Sequence, residues 1–295
     1  MDAKLLFVQA LSPLHAGTGQ GVGVIDLPIA REKATNIPFL PGSTLKGVFR
    51  DACTDPVMCT NIFGPDTGNA DLHAGAANFT DARLLLLPVR SLRGVFAWVT
   101  SPLLLRRLVR DAKGIQGLAL PTQIPSIEDE ACLVADQDCG LTMALNNGAK
   151  VILEDLPLNA SPSADATAWA TWLGGKLFPQ EEDKAWQDIL TKRLCIVSDD
   201  VLGFLLETGT EITARISMDD DKKTVKQGAL WYEESLPAET VLVGLLLAAP
   251  VNASPQEVFK TVKSLAKKPL QFGGKASVGR GLCRATLVYE EAFHE

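Results

Sequence analysis

The sequence predicts an α+β protein, and three observations carry that prediction. An apolar strand opens the chain and leads through a helix into a hairpin; the section from Thr240 to Tyr289 runs strand, helix, strand, strand; and a long middle section of helical tracts and a second hairpin separates the two. A ferredoxin-like unit runs β-α-β-β-α-β, and the opening strand, helix and hairpin are assigned to one half of it and the closing strands and helix to the other. That unit is placed at about 1–114 and 238–295, with helical insertions and a projecting β-hairpin within about 115–237 of a single domain.

In chain order, Lys4 to Leu11 forms the first strand and Ser43 to Thr54 the first helix, with Ser43 as its N-cap. Leu45, Val48, Phe49, Ala52 and Cys53 recur at helical spacing and give it a buried face, while Lys46 and Arg50 share another. Between strand and helix lie some thirty residues without helical period, which is long for an idle connection. Glycines 17, 19, 21 and 23 alternate within it, yet no helix follows them, so a dinucleotide fingerprint is discounted. Arg83 to Arg90 and Gly94 to Thr100 read as a hairpin, and Ser101-Pro102 starts a helix that Gly114 closes. Pro121 to Gln137 reads as a loop, and it is assigned to the insertions together with Ser161-Pro162-Ser163. Ala164 to Leu190 carries helical tracts, Arg193 to Val197 a short strand, and Ser198 caps a helix bearing Val201, Leu202, Leu205 and Leu206. Glu211 to Ser217 alternates polar and apolar residues, turns at Met218 to Asp221 and returns through Lys222 to Lys226. The return strand lacks the apolar density of a core strand, so this hairpin projects. Strands at Thr240 to Ala249, Pro269 to Phe272 and Leu282 to Tyr289 and a helix at Ser254 to Lys263, with Ser254 and Glu257 at capping-box spacing, complete the chain.

With 295 residues and 46% hydrophobic content the chain buries a large core, and no window is long and apolar enough for a membrane span. A cytoplasmic protein with no membrane partner is the default. The six cysteines show no two-residue spacing, so buried thiols are expected and structural zinc is not. The net charge of −7 argues against nucleic acid only as an average. From Thr261 to Arg284 six cations (Lys263, Lys267, Lys268, Lys275, Arg280, Arg284) stand without an acid, whereas Pro121 to Asp155 carries seven acids against Lys150. Such segregation suits a phosphate backbone. Inside the basic stretch, Gly273, Gly274, Gly279 and Gly281 frame Lys275 and Arg280; glycine admits a phosphate close to the main chain, and a tight strand connection is the competing reading.

Three blocks in fixed order carry a family likeness: His15 to Arg50, with its glycine run, Ile25-Asp26-Leu27-Pro28 and Pro41-Gly42-Ser43 helix start; Gly228 to Pro237; and Phe272 to Gly281. Together they resemble the RAMP superfamily of CRISPR effector proteins, and look most like the repeated backbone subunit of type III-B (Cmr) RNA-targeting complexes. The resemblance implies an RRM-type palm, a hairpin thumb that pushes between nucleotides, and an endoribonuclease. Its partners would be a CRISPR guide RNA, single-stranded target RNA, further copies of itself head to tail, and other Cmr subunits.

By position in the motif, Asp26 matches the single essential aspartate of that family, and a loop aspartate bonded to nearby backbone N–H groups is the competing reading. The implied reaction is attack of the 2'-hydroxyl on the adjacent phosphate, leaving a 2',3'-cyclic phosphate and a 5'-hydroxyl. A lone aspartate is a weak base for a sugar hydroxyl, so Asp26 is expected to hold a transient divalent metal, Mg2+ or Mn2+. His15 is either a general acid or base or a packing residue at a strand end. Glu233 either assists or covers a surface edge, and Ser235 follows the Glu-Glu pair where the family more often has tyrosine. RNA binding is expected along Ser43, Lys46, Arg50, Gly273, Gly274, Lys275, Gly279, Arg280 and Gly281. The alternatives are a non-cleaving guide scaffold of the same fold, the related type III-A backbone subunit, and a stand-alone guide-processing endoribonuclease.

Overall fold

The structure is a computed structural model that describes residues 1–18, 25–65, 68, 73–135, 139–145, 148–219 and 225–288. In chain order the first half comprises β1 (Asp2–Ala10), β2 (Phe39–Leu40), α1 (Gly42–Ala52), α2 (Pro56–Phe63), β3 (Ala77–Phe79), β4 (Ala82–Ser91), β5 (Val95–Thr100), α3 (Pro102–Ala112), β6 (Ala131–Val134), β7 (Met143–Leu145), β8 (Gly148–Leu153) and β9 (Leu156–Pro162). The second half adds α4 (Ala164–Leu177), α5 (Lys184–Arg193), β10 (Leu194–Val197), α6 (Asp199–Thr208), β11 (Glu211–Met218), β12 (Val225–Ser235), β13 (Val241–Ala248), α7 (Pro255–Leu265), β14 (Leu270–Gln271) and β15 (Leu282–Leu287).

The apolar run of β1 is continuous because the strand is buried on both faces. It pairs antiparallel with β13, Leu5 opposite Leu245, and with β15, Val8 opposite Ala285. β13 also pairs antiparallel with β4, which sets the order β15-β1-β13-β4. Successive side chains of β1 enter opposite layers. Leu6 and Val8 pack with Leu45 and Phe49 of α1 and Val258 and Val262 of α7. Leu5 and Phe7 pack with Leu105 of α3 and Trp169 and Leu173 of α4. Past β4 the sheet continues through β5, β10, β6, β9, β8 and β7, so the middle section of the chain extends the same hydrogen-bonded surface. β11 and β12 form a separate two-stranded sheet.

Several expectations need correction. Helix α1 starts at Gly42, one residue before the expected cap; Ser43 lies inside the helix and makes no cap. The long-range Asp81 instead accepts the Gly42 N–H at 2.8 Å, satisfying an end that no neighbouring side chain serves. The Pro121 to Gln137 stretch is not all loop, because Ala131 to Val134 forms β6 between β10 and β9. Ser161 and Pro162 end β9, and Ser163 caps α4. The six cysteines are not all thiols. The C-cap of α1 and the first turns of α2 bring Cys53 and Cys59 into a disulfide with Cα atoms 5.8 Å apart, while the other four are buried and free. The return strand of the second hairpin is far longer than Lys222 to Lys226: β12 runs to Ser235 and absorbs most of the Gly228 to Pro237 block. Half of its expected turn, and the end of the last strand at Tyr289, fall outside the described residues. The hairpin at β4 and β5, the capped helices at Ser198 and Ser254, and the helix starting at Pro102 match expectation.

Candidate functional site

The described parts of the stretch between β1 and α1 dock on the end of β12. Leu14 and Leu236 exchange backbone hydrogen bonds at 2.8 and 2.9 Å, and Ala30 donates to the Ala16 carbonyl at 2.7 Å. Leu27 then pairs in parallel with Glu233, its N–H donating to the Tyr232 carbonyl at 3.1 Å and its carbonyl accepting from Glu234 at 3.0 Å. This register places Asp26 beside Tyr232, whose N–H donates to Asp26 Oδ2 at 2.8 Å. The carboxylate is exposed, and among the described residues its second oxygen takes no hydrogen bond. It is therefore held at one oxygen and open at the other.

Two residues along the same strand, the Glu234 carbonyl lies 2.7 Å from His15 Nδ1. A carbonyl only accepts, so Nδ1 carries the hydrogen and the neutral ring keeps Nε2 as an acceptor, a tautomer assigned from this bond. The imidazole is 6% exposed, and a Cβ added at Gly17 would stand 2.6 Å from Nε2, so this glycine makes room for the ring. Of the alternating glycines only Gly17 is described.

The acids Glu233 and Glu234 point to opposite sides of β12, as neighbours on a strand must. Glu234 is buried; its Oε1 pairs with Arg31 at 2.6 Å and its Oε2 accepts from Ile29 N–H at 3.0 Å. Glu233, also buried, receives the Trp231 indole N–H at 2.8 Å, Lys275 Nζ at 2.9 Å and Arg215 Nε at 3.3 Å. Burial alone would raise its pKa, but the indole hydrogen bond and the two cations outweigh that effect and hold it down to about 2. The Glu-Glu pair is thus a structural knot under the site and not a surface edge.

The glycine-framed loop wraps the end of β1. Gly274 donates to the His15 carbonyl at 2.9 Å and Gly281 to that of Pro13 at 2.8 Å. Gly273, at φ +69°, passes so close that a Cβ would lie 2.3 Å from the His15 carbonyl oxygen. Gly279 donates to Ala276 and Arg280 to Lys275 within the loop, so these amides are committed to protein carbonyls and do not face outward for a phosphate. The cations are also paired: Lys275 with Glu233, Arg280 with Glu211 at 2.8 Å, and Arg284 with Asp183 at 3.4 Å. A stretch free of acids in sequence has its acids supplied from elsewhere in space.

On α1, Ser43 is exposed and Lys46 half-buried. Burial and the nearby Arg50 charge both lower the Lys46 pKa, an arrangement that an arriving anion would relieve. Arg50 Nη1 donates to the Pro65 carbonyl at 2.8 Å. Helix and loop share an anchor, Phe49 meeting Phe272 edge-on at 6.1 Å. The structure thus gathers His15, Asp26, Glu233 and Lys275 around the end of β12. Sequence reasoning missed Arg31, Arg215 and Glu234, which hold that knot; for Glu234, the alternation of a strand through Trp231 to Ser235 was the available signal.

The sequence matches the RAMP superfamily over residues 7–284. The chain belongs to the RAMP superfamily. Among RAMP proteins it is 36% identical to the CRISPR system Cmr endoribonuclease Cmr4 of Pyrococcus furiosus, over 97% of this chain and 96% of that one. It is 24% identical to the CMR subunit Cmr4 of Saccharolobus solfataricus, over 95% and 94%. Its fold matches the oligomeric Cmr4 of Pyrococcus furiosus with a TM-score of 0.72 at 29% identity, covering 97% of this chain and 98% of that one. It also matches a chain of the type III-B Cmr-beta complex bound to cognate target RNA, with a TM-score of 0.72 at 20% identity and 98% of each chain covered, a likeness of fold.

Proposed function

We propose that this RAMP chain is the repeated backbone subunit of a type III-B CRISPR complex, and that it holds guide RNA and cuts the target paired with it. The full-length similarity to a Cmr endoribonuclease supports RNA cleavage. The observation that carries the reading is Asp26, an exposed carboxylate fixed by the Tyr232 amide at the root of a projecting hairpin. We read β15-β1-β13-β4, with α1 and α7 between consecutive strands, as a ferredoxin-like, RRM-type palm, and β11 and β12 as the thumb. Ile212, Ile216, Met218 and Leu230 are exposed on that hairpin, an apolar surface suited to wedging between bases. Lys46, Arg50 and Lys275, whose side chain is about a third exposed, are the cations we assign to the RNA backbone.

For catalysis, the open oxygen of Asp26 accepts a hydrogen bond from the 2'-hydroxyl and orients it, and the 2'-hydroxyl proton passes to solvent as the oxygen attacks. The 2'-oxygen bonds to phosphorus as the bond to the 5'-oxygen breaks, and solvent returns a proton to that oxygen. Splaying of the strand by the thumb supplies the in-line orientation. His15, buried and hydrogen-bonded, positions the Glu234 end of the strand. Among the described residues no three metal-ligating side chains converge, Glu233 and Glu234 are engaged by cations and N–H groups, and Asp26 offers one oxygen. These residues do not build a metal site, and no step is routed through a metal. Copies of the chain line up head to tail along a guide, a heterologous contact that gives an open filament. In a reconstituted complex, Asp26→Asn should keep the Tyr232 hydrogen bond and guide binding while lowering cleavage at least about a hundredfold, and the parent should cut at even intervals counted from the fixed end of the guide. Undiminished cutting by the variant, or one cut only, would overturn the reading.

A further inference from the structure

Among the described residues the second hairpin shares no ladder with the large sheet, so its angle depends on contacts at its root. In register, Thr213 of β11 lies opposite Glu233 of β12, and Glu211 opposite Ser235. The glycine loop grips both strands at this level. Lys275 holds Glu233, while Arg280 Nη1 donates to Glu211 Oε2 at 2.8 Å and Nη2 to Thr213 Oγ1 at 3.2 Å. Glu211 and Thr213, two apart, face the same side, so the planar guanidinium spans the first two same-face residues of β11. The Arg280 side chain is only 14% exposed. Its main chain is equally fixed: its N–H donates to Lys275, its carbonyl accepts from the Gln271 side chain, and the next amide donates to Pro13. A phosphate reaching this guanidinium would compete with the contacts that hold the hairpin.

We infer that Arg280 is a positioning residue and not an RNA ligand: acting through Glu211 and Thr213, it sets the angle at which the hairpin meets the bound strand. The inference rests on the RNA-cleavage reading above. The test is a charge reversal in the reconstituted complex, with Arg280→Glu, Glu211→Arg and the two combined. Single-turnover cutting, the salt dependence of guide binding and amide hydrogen exchange across β11 are measured on each. Either single change should slow cutting about tenfold, the effect of losing about 1.4 kcal/mol of coupling. It should also speed exchange in β11 and leave the salt slope of Arg280→Glu at the parental value. The combined reversal should bring cutting and exchange back to within about threefold of the parent. Thr213→Val, which keeps the ion pair, should slow cutting by a smaller factor and serves if Arg280→Glu fails to fold. Parental cutting and exchange in Arg280→Glu and Thr213→Val would overturn the inference. So would a combined variant that stays slow with a salt slope reduced by about one phosphate contact. If the parent complex itself does not cut, the cleavage reading falls, and hydrogen exchange still decides the role of Arg280.

Discussion

Replacing Glu233 by Gln tests how firmly the root of the hairpin is tied. Glutamine keeps an oxygen for the Trp231 indole but leaves Lys275 and Arg215 facing a neutral amide. The Glu233 pKa falls from 4.5 to about 2 on folding, which corresponds to about 3 kcal/mol of stability at neutral pH. Both cationic side chains are about a third exposed, at 34% and 31%, and solvent screening trims this to about 2 kcal/mol. Because the folded-state pKa is the depressed one, this stability is complete above the unfolded value and drains away as pH falls from 4.5 toward 2. At pH 3 less than half of it should remain. Urea unfolding of the chain, followed by tryptophan fluorescence, should show the variant weaker by about 2 kcal/mol at pH 7 and by about 1 kcal/mol at pH 3. A difference that is the same at both pH values, or that widens in acid, would refute the charge-based account.

Other perturbations bear on the surrounding scaffold. Gly17→Ala should cost about 1–3 kcal/mol by driving a methyl group into the His15 ring, and the loss should shrink when combined with His15→Ala; equal melting points for Gly17→Ala and parent would contradict the packing described. Asp81→Ala should cost about 1 kcal/mol by removing the acceptor for the first amide of α1, a loss read as a lower urea midpoint with unchanged slope. Reducing the Cys53–Cys59 bond, which closes a short loop, should lower stability by about 2 kcal/mol, and the double serine variant should be insensitive to reductant.

Most of the fold was legible because it follows local rules. The continuous apolar run of β1, the Ser-Pro start of α7 with Glu257, and the Pro102 start of α3 each announce an element through its own residues. Contributions from distant sequence were not legible. Asp81 caps a helix thirty-nine residues before it, and Glu211, Glu233 and Asp183 neutralise cations that stand in an acid-free stretch. The same holds at the site. Asp26 was singled out by its place in the family motif, but its mounting on the Tyr232 amide needs a parallel bridge across more than two hundred residues. Glu233 was left between an assisting role and a surface edge because nothing in its immediate sequence shows the lysine and arginine that converge on it.

The attachment of Asp26 to Tyr232 puts the carboxylate at the fulcrum of a lever. From Tyr232 to Val225 the hairpin reaches about 23 Å, so a tilt of about 10° swings its tip by about 4 Å. The carboxylate, bonded at the pivot, moves by a small fraction of that distance. With Asp26 in the cleaving role proposed above, bending of the arm by different bound sequences leaves the carboxylate in place, and the cutting register should tolerate variation in how the outer part of the hairpin settles.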